Sequence, residues 1–133
     1  MLENIVQSLK ALLEKKFRTV RISAVQTTEQ FLRELKAVNR ENLPGVIIVF
    51  DGFGNLSETA TGEINLTLVL IDRFKAGSDE RALSLYRAAG ELLELFPPDG
   101  MDLDGMYVHP VDLIAASPDP ELAALGLGVK CKV

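Results

Sequence analysis

Apolar residues recur at helical spacing in three stretches of this chain, and as alternating or continuous runs in five others. Leu2, Ile5, Val6, Leu9, Leu12 and Leu13 repeat every three or four positions, which predicts an amphipathic helix from Leu2 to about Lys16. Thr19–Val25 alternates Val20, Ile22 and Ala24 with Arg21 and Ser23, the pattern of a short strand with one wet face. Thr27 and Gln30 have the spacing of a capping box, and Phe31, Leu35 and Val38 line one face of a second helix ending near Asn39–Asn42. Leu43-Pro44-Gly45 breaks the chain. Val46–Phe50 is a continuous β-branched and aromatic run, read as a strand buried on both faces and hence central.

Asp51–Asn55 is rich in turn formers, and a polar stretch to Thr61 reads as a loop. Gly62–Phe74 predicts a long strand with Ile64, Leu66, Leu68 and Leu70 on one face. Its other face turns apolar only at Val69 and Ile71, so that end should be covered. Two strands joined by a loop suggest an antiparallel hairpin. The longest periodic stretch is Ser78–Phe96, where Ala82, Leu85, Tyr86, Ala89, Leu92, Leu93 and Phe96 form a stripe. Ser78 is a suitable N-cap, Asp79 and Glu80 favour the positive end of the helix dipole, and Pro97-Pro98 ends the helix. A turn at Asp99–Gly105 leads to a strand over Met106–Ala115, with Pro110 marking an edge or bulge. Leu125, Leu127, Val129, Cys131 and Val133 alternate through a last strand. The expected fold is a single α+β domain, 1–133: a mainly antiparallel sheet with two or three helices packed on one face.

Composition supports this reading. A chain of 133 residues, 47% hydrophobic and 25% charged, can bury a core without disulfides or metals. The net charge of −5 disfavours non-specific binding to nucleic acid or anionic membranes. One cysteine forbids an internal disulfide and fits a reducing compartment. No apolar run approaches the ~20 residues of a membrane span, and the first residues lack the basic-then-apolar order of a signal peptide. A soluble intracellular product is expected.

Candidate chemistry is sparse. His109, the only histidine, is followed by Asp112 at a spacing that puts the two on opposite faces of a regular strand. Asp99, Asp102 and Asp104 with Gly100 and Gly105 resemble a calcium loop, but aligning Gly105 with the invariant glycine leaves Gly100 and Val111 at the two anchoring carboxylate positions. The Gly52-Phe53-Gly54 segment lacks the third glycine and the following helix of a dinucleotide site. Cys131 has no adjacent histidine and sits on an apolar face, where a thiol is a small hydrophobe. The expectation is therefore no catalysis, no cofactor and no metal. Interaction residues are sought on loops and edges: Lys15, Lys16 and Arg18 at the end of the first helix, and Glu58, Thr59 and Thr61 in the hairpin loop. The basic cluster also has a plain reading as dipole compensation and solubility.

The series MLENIVQSLKALLEKKF, GVIIVF, GEINLTLVLIDRF, DERALSLYRAAGELLELF, MYVHPVDL and LAALGLGVKCKV resembles, in order and loose residue preference, a family of small tail proteins of Mu-like phages and prophages, related to phage tail terminators. The resemblance implies a tail-terminator-like fold and a structural role without catalytic residues. Such a subunit would form a ring with copies of itself, commonly a hexamer, cap the tail-tube protein and meet the head–tail connector. It would use neither a membrane nor a specific nucleic-acid sequence. It would reside in the host cytoplasm during assembly and in the virion tail afterwards. The alternative reading is a small intracellular adaptor or regulatory binding domain.

Overall fold

The computed structural model describes residues 2–24, 27–54 and 62–132, the side chains of 117–119 excepted. The chain runs α1 (Leu2–Leu13), β1 (Thr19–Ser23), α2 (Thr28–Ala37), a 3-10 turn (Arg40–Asn42), β2 (Gly45–Gly54), β3 (Glu63–Arg73), α3 (Asp79–Glu94), β4 (Met101–Leu103), β5 (Met106–Asp119) and β6 (Leu122–Lys132). The six strands form one sheet in the order β1-β2-β3-β6-β5-β4. Only β1 and β2 are parallel; every other neighbouring pair is antiparallel. The fold is α+β.

Both faces of the sheet are used. On one, Ile5, Leu9 and Leu13 of α1 and Leu85, Ala88, Ala89 and Leu92 of α3 pack with Val46, Ile48, Leu66, Leu68, Leu70, Leu127 and Val129. On the other, Leu35 of α2, with Val38 and Leu43, packs on Ile47, Val69, Ile71, Leu122 and Ala124. Two helices thus share a face as expected, and the third covers the opposite one. The late turn of β3 to apolar residues on its second face, Val69 and Ile71, is the place where α2 sits. A capping box starts α2: the Thr27 hydroxyl accepts from the Gln30 N–H, and the Gln30 side chain accepts from the Thr27 N–H.

Several expectations need correction. Val46–Phe50 lies in the strand next to the edge, and only its first residues are buried; Phe50 is 42% exposed. The turn expected at Asp51 is a β-bulge, beyond which β2 continues to Gly54. In α3 the buried stripe is Leu85, Ala88, Ala89 and Leu92, leading to Phe96, whereas Ala82, Tyr86 and Leu93 face outward. The aspartate-rich segment is a hairpin. Asp104 and Gly105 both have positive φ, as a type I′ turn requires, and Leu103 pairs with Met106 across it. Gly100, with φ of 88°, is a position where a Cβ would fall 2.4 Å from the Tyr107 ring.

One polar group inside the fold bears on stability. Asp72 is 1% exposed and accepts from Ser84 Oγ at 2.7 Å and from the Arg73 N–H at 2.8 Å, which ties α3 to the end of β3.

Candidate functional site

The surface that stands out is the second half of β5. The short β4 pairs only with Met106–Val108, so among the described residues the outer edge of β5 beyond that point has no partner. Its inner edge is held by β6 as far as Asp119. Residues 111–116, Val-Asp-Leu-Ile-Ala-Ala, are all exposed, with Val111 at 52% and Ile114 at 61%. Natural sheets usually blunt such an edge with lysine, proline or a bulge. Here Pro110 and a bulge at Val111 guard the start of the stretch, and Asp112 is the only charge in it.

The bulge changes which side chains share a face. Pro110 pairs with Val129 and Asp112 with Gly128, so Val111 is an extra residue. Asp112 therefore returns to the face of His109, which pairs with Lys130, rather than lying opposite as a regular strand would place it. The two are not hydrogen-bonded: the His109 Nδ1 is buried without a partner, and its ring tilts against Tyr107 at 5.9 Å. The Asp112 carboxylate lies over Gly128, 2.8 Å from where a Cβ there would be.

The opposite edge of the sheet is β1. Its open side presents Arg21 and Ile22, both exposed, and Ile22 with Phe50, Leu2 and Val6 lines an apolar recess of about 580 Å³. Ser23 points to the other face and donates to Glu34 of α2 at 3.2 Å. Among the described residues neither Arg18 nor Arg21 takes part in an ion pair or side-chain hydrogen bond.

Of the residues singled out in the sequence, Lys15, Lys16 and Arg18 are exposed in the turn after α1 but do not act as one patch. Lys16 reaches Glu94 of α3 at 3.5 Å and, with Arg18, Arg87, Glu41 and Glu91, lines a cleft of about 360 Å³. Lys15 instead borders a recess beside Ser8 and Asp104, whose side chains are hydrogen-bonded. Glu58, Thr59 and Thr61 lie outside the described residues. Pro110 marks an edge or bulge in the sequence, and the structure has both there; the extent of the open edge, residues 111–116, depends on where β4 stops pairing with β5.

A second polar group lies on the sheet face away from α1 and α3. Glu63 bonds Lys130 at 3.2 Å and Lys132 at 3.6 Å, and the Lys130 hydrogen bond, joined by both lysine charges, holds its carboxyl below the ordinary carboxylate range against some cost of burial. Burial pushes the Cys131 thiol up to about 11, which leaves it a neutral core group at physiological pH. Among the described residues no three His, Cys, Asp or Glu side chains gather closely enough to hold a metal ion, and no helix is long and apolar enough to cross a membrane. Compared with known proteins, the chain matches no family model and no curated sequence at a significant level.

Proposed function

We propose that this chain is a structural subunit of a phage or prophage tail, a terminator-like protein that caps the tail tube and joins it to the head connector. The observation that carries the proposal is the unpaired apolar edge at residues 111–116, a surface suited to repeated subunit contact rather than to isolated life in water. The order of elements, which resembles that of small tail proteins of Mu-like phages, supports the same reading. In this role the protein acts by shape and self-association, with the tail-tube protein and the connector as its other partners, in the host cytoplasm and then in the virion.

The test is co-expression with the tail-tube protein of the same genome, followed by electron microscopy. Tubes of limited length with extra density at one end are the expected result. Tubes of unlimited length, bare at both ends, would overturn the proposal. A second reading, a small non-catalytic binding domain, draws on the apolar recess beside Ile22 and Phe50. It predicts a monomer that binds an apolar peptide saturably and leaves tubes unaltered.

A further inference from the structure

We infer that the free edge of β5 pairs antiparallel with the β1 edge of a second copy of this chain, so that subunits join head to tail through one continuous sheet. Four observations lead there, and the inference deepens the tail-subunit reading by naming the subunit contact.

The first is that the molecule carries both halves of the contact. Residues 109–116 offer an unpaired row of backbone donors and acceptors, broken only by Pro110, and β1 offers another at the far side of the same sheet. Because the two edges differ, the contact is heterologous and propagates from copy to copy instead of ending at a dimer.

The second is strand direction. β1 runs with β2; β3 reverses, β6 reverses again and β5 once more. β5 therefore runs opposite to β1 in the sense of the sheet. A second copy added in continuation meets β5 with its β1 antiparallel, the pairing with the stronger hydrogen-bond geometry.

The third is register and face. The ladders run across the sheet in rows: Ile22–Ile48–Leu68–Leu127–Leu113 on the face of α1 and α3, and Arg21–Ile47–Val69–Gly126–Ile114 on the face of α2. Continuing the rows without a shift sets residues 112–116 against residues 23–19 of the next copy. Leu113 then lies opposite Ile22, which lines the apolar recess, and Ala115 opposite Val20. Ile114 lies opposite Arg21, where the arginine stem can cover it. Apolar side chains meet apolar side chains on the face of α1, and a one-residue slip would destroy that match.

The fourth is charge. In this register Asp112 is diagonal to Arg21 on the same face, within reach of a long side chain. Among the described residues neither has an ion pair within its own subunit. The right-handed twist, roughly 20–25° per strand, turns each copy relative to the last, and the series forms a ring where the rotation between copies closes on itself.

The experiment is disulfide trapping with Ile22→Cys and Leu113→Cys, alone, mixed and combined in one chain, at protein concentrations where light scattering finds self-association, with Cys131→Ser as background. Cross-linked dimers from the mixture, and a ladder of higher species from the double variant, are expected. Neither single variant should cross-link with itself. Leu113→Cys dimers formed alone, or no cross-link in the mixture, would overturn the inference. So would a protein that stays monomeric at every concentration. Leu113→Lys, checked for an unchanged far-ultraviolet circular dichroism spectrum, should lower the association constant at least tenfold; an unchanged constant would also overturn it. Tube capping is scored separately: capping without the β1–β5 cross-link rejects this contact and keeps the tail role, whereas the cross-link without capping keeps the contact and rejects the role.

Discussion

At the scale of single residues, two polar groups set testable limits on stability. Asp72 is nearly inaccessible, and among the described residues the Ser84 hydroxyl is its one side-chain donor. Ser84→Ala leaves that oxygen without its donor and should cost about 1–3 kcal/mol, read as a lower urea midpoint at an unchanged slope. Glu63 titrates below the ordinary carboxylate value because Lys130 and Lys132 favour its charged form. A group with a lowered folded-state pKa contributes fully above its unfolded value and loses that contribution as pH falls through the folded one. Stability should therefore drop below about pH 4.3, the ordinary glutamate value. Glu63→Gln should show a smaller difference between its urea midpoints at pH 7 and pH 3 than the parent; an equal difference would mean that other carboxylates govern the acid limb. Asp72 and Glu63 are spaced in sequence like any strand carboxylates. Nothing local announces that one will meet a serine on α3 and the other a pair of lysines on β6.

At the scale of elements, helix starts and strand faces were legible, while the width of an apolar stripe was not. The Thr27–Gln30 capping box and the Ser78 cap arise from contacts within a few residues, so spacing alone reveals them. In α3 the buried stripe is narrower than the periodic one: Ala82, Tyr86 and Leu93 point away from the sheet, with Tyr86 64% exposed. Helical periodicity gives the direction of an apolar face but not how much of it the neighbouring sheet can reach. Gly90 lies on that outward side, and a Cβ there would have nothing within 4 Å. Gly90→Ala should accordingly stabilise the protein by about 0.5–1 kcal/mol, seen as a higher thermal midpoint. A loss of stability would reveal a constraint on that helix face. Asp104-Gly105 was a readable hairpin signal hidden inside a more eye-catching run of aspartates.

At the scale of the whole molecule, the consequence that matters is that the sheet does not end cleanly. Among the described residues β4 protects only the first residues of β5, and β1 has no partner on its outer side, so assembly is the behaviour that the architecture invites. Substitution at Leu113 should then act on association and spare folding, whereas substitution at Leu35, the α2 residue fully buried against the sheet, should do the reverse. Leu35→Ala is expected to cost about 2–5 kcal/mol in denaturant unfolding. The α+β class, the order of the main elements, the antiparallel β2–β3 hairpin and the covered end of β3 were determined by sequence alone, because period and side-chain character act over a few residues. The division of the helices between two faces, the penultimate place of β2, the parallel β1–β2 pair, the shared face of His109 and Asp112 and the open edge of β5 were decided only in three dimensions. Those features depend on which distant strands pair and on where a three-residue strand stops, which leave no periodic trace along the chain, and on one extra residue at Val111, whose only trace is the proline before it.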